Sequence, residues 1–89
     1  MNIEQQTVCI LVITAGHVLV GRAEGGKDGT VRLYNARTIR TWGTDRGLGQ
    51  LYDGPLNSTI LDAEVPLILV PVQQIIYALP VTDTPKWWA

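Results

Sequence analysis

The chain has 89 residues, a formal net charge of −1 and 46% hydrophobic side chains. That length makes one domain, and the near-neutral charge excludes a general polyanion binder, which needs a broad basic surface. The single Cys9 excludes an intrachain disulfide framework and fits a reducing compartment.

No run reaches the ~18 apolar residues of a membrane span, and the opening MNIEQQ lacks the basic region of a signal peptide. The expected location is the cytoplasm, of a cell or of an infected host.

In chain order, Met1–Gln6 reads as a polar lead-in. Thr7–Ala23 is rich in β-branched residues, and Val8–Ile13 shows no alternation of apolar and polar side chains. Such a strand is buried on both faces. One short chain offers little to cover the second face, so a second subunit is expected to do it. Ala15-Gly16-His17 predicts a turn or sharp bend. His17, the only histidine, reads as a surface residue without triad partners nearby, and Cys9 as inert packing.

Glu24–Gly29 (EGGKDG) is a hairpin loop signal. Thr30–Trp42 follows as a strand. With a side-chain period of two, Thr30, Arg32, Tyr34, Ala36, Thr38, Arg40 and Trp42 share one face. Cationic and aromatic groups alternate along it, a pattern that can stack a planar ring and pair with a phosphate. Asn is a poor strand residue that tolerates left-handed geometry, so Asn35-Ala36 is a candidate bulge. A bulge would bring Arg37 onto the face of Arg32 and Tyr34 and turn Arg40 and Trp42 away. The plainer alternative is the solvated side of a strand, with Arg stems lying over rings.

Gly43–Leu51 (GTDRGLGQL) carries three glycines around Thr44, Asp45 and Arg46. Successive amides in such a turn can form an anion-binding nest. It has neither the GK[ST] ending of a phosphate loop nor a GxGxxG fingerprint, and an ordinary connecting loop is the alternative. Leu48 and Leu51, three apart, predict one short helical turn. Residues 32–46 carry a local charge of +3 and all other positions together −4. A compact basic patch on an acidic body suits a small anion better than long duplex DNA.

Tyr52–Ser58 reads as a loop, Thr59–Leu61 as a short strand, and Val65–Val72 as an edge or bent strand bracketed by Pro66 and Pro71. Ile75–Leu79 is the last strand, closed by Pro80. Residues 1–80 are expected to form one β-barrel domain and 81–89 a C-terminal tail. The pair Trp87-Trp88 is either a frayed end or an anchor docking on a neighbour.

The expected fold class is all-β, a small barrel of about five strands with little or no helix. The order of elements resembles an SH3-like or Sm-like barrel, with LILVPVQQIIYA as its closing strand–turn–strand. The glycine of the Sm signature is absent and Pro71 intrudes. The chain also resembles small phage-encoded proteins of unknown function. The matching residues are Ala15-Gly16, Asn35-Ala36-Arg37, Ile39, Trp42, Leu48 and Leu51, and the match breaks at the GTDRGLG insertion. This resemblance implies a phage origin and a β fold, and brings no catalytic residues.

No nucleophile–base pair, metal set or paired carboxylates stands out, so no enzyme activity, cofactor or metal is expected. The expected role is a non-catalytic homo-oligomer that binds a small anionic nucleotide-like ligand through Arg32, Tyr34, Arg37, Arg40, Trp42, Thr44 and Arg46. In a phage setting that role is a sponge, sequestering a host immune-signalling nucleotide as an anti-defence measure. Two alternatives stay open: single-stranded RNA binding on an Sm-like ring, and a phage structural or assembly role.

Overall fold

The computed structural model describes residues 3–89, and side chains from residue 6 onward. The chain is all-β. Strands β1 (Ile3–Ile13), β2 (Val18–Gly25) and β3 (Thr30–Thr41) form an antiparallel meander. A two-residue strand, β4 (Ile60–Leu61), pairs with the end of β3. Strand β5 (Val65–Pro71) pairs with the first half of β3, and β6 (Ile75–Pro80) returns to β1. The short helical segments among the described residues are all 3-10 turns.

The two edge strands β5 and β6 are consecutive, joined by the 3-10 turn Val72–Gln74. So short a link draws the sheet's edges together and curls it. This is the strand–turn–strand closure expected from LILVPVQQIIYA. The inside of the curl holds Cys9, Leu11, Leu19, Ala23, Val31, Leu33, Ala36 and Val70, with Ile75 and Ala78 packed against them. All five long strands therefore feed one core. Gly21 lies in it by necessity: a Cβ there would sit 2.7 Å from Leu33 Cγ and 2.8 Å from the Tyr34 carbonyl oxygen.

The apolar run Val8–Ile13 is covered on both faces, fully over Val8–Leu11 and partly at Val12 and Ile13, but the chain itself supplies the second cover. Val8, Ile10, Val18, Val20 and Ile39 point outward from the curl and are roofed by Leu48, Leu51, Val81 and Trp87. The roof comes from the 3-10 turns Leu48–Asp53 and Pro85–Trp88 and from Val81, directly after β6. This removes the expectation that a second subunit must cover that face. It also corrects both readings of the tail, because Trp87 is fully buried in its own chain. β1 begins at Ile3, four residues before the predicted strand start at Thr7, so the polar lead-in from Ile3 onward belongs to the strand, while Met1 and Asn2 lie outside the described residues.

The roof is pinned by polar contacts. Val81 N–H donates to the Val8 carbonyl and Thr82 N–H to the Tyr52 carbonyl. The connection from β3 to β4 is closed at its base, where the Thr59 hydroxyl donates to the Trp42 carbonyl at 2.7 Å. Gly43 makes that closure possible. Its φ is +68°, and a Cβ would lie 2.2 Å from the Ser58 carbonyl carbon, a position only glycine fills without rearrangement.

Candidate functional site at the end of strand β3

The bulge predicted at Asn35-Ala36 is present. Asn35 has φ +52°, and the β2–β3 register shifts between Val20 and Arg22. Val31, Leu33 and Ala36 line the inner core whereas Ile39 joins the outer one. Side-chain parity thus changes across the bulge. Arg32, Tyr34 and Arg37 share the outer face, while Arg40 and Trp42 follow a second register shift, between Ile39 and Thr41, near the strand's end. The seven expected ligand residues therefore do not lie along one regular strand face.

Arg37 is committed to the fold. Its half-buried guanidinium donates from Nε to the Asp62 carbonyl (2.6 Å), from Nη1 to the Trp87 carbonyl (3.0 Å) and from Nη2 to the Leu61 carbonyl (3.4 Å). A planar fork serving three backbone acceptors has little left for a ligand. Arg32 pairs with Asp28 at 3.3 Å across the hairpin loop, both groups well exposed. Tyr34 stands opposite Arg22 on β2 and Leu67 on β5.

Arg40, Trp42, Thr44 and Arg46 remain, all at the end of β3 and in the turn after it. Arg40 is 69% exposed and meets Asp62 at 2.8 Å, a surface pair that a ligand anion can exchange with at small cost. Trp42 is exposed. In the turn, the N–H groups of Asp45 and Arg46 both donate to one oxygen, Gln50 Oε1, at 3.0 and 2.9 Å. Two successive amides aimed at a single acceptor form a small anion-binding concavity, filled here by the chain's own side-chain carbonyl. The glycines flanking the turn supply its backbone reversals, with φ +68° at Gly43 and +97° at Gly47.

Sequence reasoning missed a second feature, a shallow recess of about 580 Å³ lined by Arg22, Asn35, Glu64, Asp83 and Trp88 together with Pro85 and Ala89. The Arg22 guanidinium lies 4.5 Å from the centroid of the Trp88 ring and pairs with Asp83 at 2.8 Å. Asn35 Nδ2 donates to Glu64 at 2.9 Å. Trp88 Nε1–H donates to the Asn35 carbonyl at 2.7 Å, a carbonyl that the bulge frees from its ladder. Two carboxylates against one guanidinium make the recess a poor host for an anion. Its only sequence signal was the paired tryptophans of the tail.

Cys9 is buried, and burial pushes its thiol above the ordinary value, in line with packing rather than chemistry. No helix of the described residues is long and apolar enough to cross a membrane. No protein-family model matches the sequence, and no curated protein matches it.

Proposed function

We propose that the chain is a non-catalytic binding protein for a small anion bearing a planar ring, of the nucleotide class. The observation that carries this reading is the convergence of the Asp45 and Arg46 amides on one oxygen. A phosphate oxygen entering where Gln50 Oε1 sits would take both donors. The side chains of Arg46 and Arg40 bring charge to the same end of β3, and the exposed Trp42 offers a face for stacking. Thr44 contributes a hydroxyl to the same turn.

Holding such a molecule without cleaving it withdraws it from use. Taken together with the resemblance to small phage proteins, this is the work of a sponge that sequesters a host signalling nucleotide.

The test is a thermal-shift panel of mono-, di- and cyclic nucleotides, followed by calorimetry on the best binder. A genuine ligand at 100 times its Kd raises stability by about 2.7 kcal/mol. Trp42→Ala is expected to weaken binding about tenfold or more, within the range for loss of one base-stacking side chain, and Arg46→Ala by a similar factor. Binding should depend only mildly on salt, unlike single-stranded RNA, whose affinity falls steeply as counterions compete. No shift across the panel, or binding indifferent to both variants, would sink the proposal.

A further inference from the structure

Strand β5 leaves one side of its backbone unpaired. Among the described residues it forms a ladder with β3 alone. The Val72 N–H donates to the Gly29 carbonyl at 2.9 Å. Antiparallel alternation from that bond turns the backbone groups of Val70 and Ile68 toward β3, and those of Val65, Leu67 and Leu69 toward the open side. The side chains of the same three residues are exposed, by 40%, 44% and 59%. Val65–Pro71 contains no charged residue.

Edge strands are ordinarily guarded by a lysine, a bulge or a covering element. β5 carries no lysine, and its register with β3 runs without a shift. Its prolines guard little. The missing N–H of Pro66 falls on the β3 side, and that of Pro71 falls at the very end of the open side.

We infer that the open side of β5 receives β5 of a second copy of this chain, antiparallel about a two-fold axis through Ile68. About that residue Leu67 and Leu69 form a symmetric pair, while Pro66 faces Val70 and Val65 faces Pro71, all uncharged. Leu67 stands opposite Leu69 of the second copy, and each exchanges its N–H and carbonyl with the other. Val65 N–H meets the Pro71 carbonyl of the second copy, so the proline at each end acts as acceptor and its lost donor costs one bond. The outward leucines pair across the seam, apolar on apolar. An uncharged strand on a chain of net charge −1 brings no like-charge pair together.

The β6 edge fits less well. Its ladder with β1 breaks register between Val12 and Ile13, and it ends at Pro80. Three exposed apolar side chains per copy fall well short of the ~20–30 residues a side of a standard interface, so the dimer forms with rising concentration rather than permanently. The pairing is independent of the anion site: β5 lies along Thr30–Ala36, and the glycine turn follows the other end of β3.

Sedimentation velocity over a concentration series tests it. The native chain should pass from monomer to dimer at roughly 10–100 µM, the affinity of a small interface. Leu67→Lys/Leu69→Lys should stay monomeric over the same range, with a melting temperature within about 2 °C of native because both positions are exposed. Ile76→Lys, on β6, should dimerise as the native chain does. A native chain that stays monomeric to about 1 mM, far above the expected midpoint, overturns the inference. So does a double-lysine variant that dimerises normally, loss of the dimer in Ile76→Lys, or native assembly beyond two copies, which a closed two-fold forbids.

Discussion

Arg37 Nη1 donates to the carbonyl of Trp87, 3.0 Å away and 50 residues on in the chain. The same guanidinium holds the carbonyls of Asp62 and Leu61. One side chain on β3 thereby fastens the turn that leads into β5 and the tail that roofs the outer face. The bulge at Asn35-Ala36 makes this possible, because it turns Arg37 outward to the side where the tail lies.

Removing that fork should loosen all three attachments at once. Arg37→Ala is expected to lower stability by about 2–4 kcal/mol, since hydrogen bonds to charged groups contribute about 1.5–3 kcal/mol and three half-buried carbonyls lose their donor. Arg37→Lys should recover only a minor part, as an ammonium cannot reach three acceptors in one plane. Urea unfolding at fixed pH measures both. An alanine variant as stable as the native chain would show that the bracket is ornamental.

The two tryptophans of the tail should behave differently. Trp87 is fully buried among Val8, Ile10, Val20 and Leu51, so Trp87→Ala should cost about 3–5 kcal/mol. Its Nε1–H is buried without a hydrogen-bond partner among the described residues, and such an orphan donor carries a penalty of about 1–3 kcal/mol. Trp87→Phe removes the donor while keeping a ring, so it should come close to native stability despite the lost volume. Trp88 is only partly buried, and Trp88→Ala should cost less than Trp87→Ala. Equal losses for both alanine variants would contradict the assignment of Trp87 as the keystone.

The fold class was legible because strand, turn and loop signals agreed from residue to residue. Glycine clusters marked the hairpins, Leu48 and Leu51 marked the short turn, and the prolines marked β5 as an edge. The bulge was legible too, since Asn is rare at a strand centre and takes positive φ more readily than its neighbours do. Long-range closure was not. An unalternating run such as Val8–Ile13 says that both faces are covered and nothing about what covers them. Here the cover is Leu48, Leu51, Val81 and Trp87, brought from as far as the tail. For the same reason Arg37 looked like a ligand residue: a sequence shows the charge, whereas the three carbonyls that claim it come from Leu61, Asp62 and Trp87.

The hairpin between β2 and β3 contains a carboxylate with a lowered pKa. The Thr30 N–H donates to Asp28 Oδ1 at 3.1 Å, and this bond, with a smaller contribution from the Arg32 guanidinium, holds the Asp28 carboxyl below its ordinary value of 3.8. A depressed folded pKa means that the stabilising contact is fully present above 3.8 and is lost as the pH falls through the lower folded value. Carbon-detected NMR should place the Asp28 midpoint below 3.8, with the Thr30 amide shift following the same curve. A midpoint at or above 3.8 would mean that the carboxylate does not hold the turn.

Gln50 offers the sharpest handle on the anion site, because its Oε1 fills the place that a ligand oxygen would take. Gln50→Ala empties that place. The turn should lose about 0.5–1.5 kcal/mol of stability per hydrogen bond given up, while an anion no longer has to displace the side chain and should bind severalfold more tightly. Gln50→Glu keeps the shape and adds a negative charge that the two amides welcome, so it should stabilise the free protein and repel the ligand. Calorimetry with the best nucleotide from the panel, run on the native chain and both variants, reads the opposite signs directly. If alanine and glutamate change affinity in the same direction, or not at all, the Asp45 and Arg46 amides are a turn and nothing more.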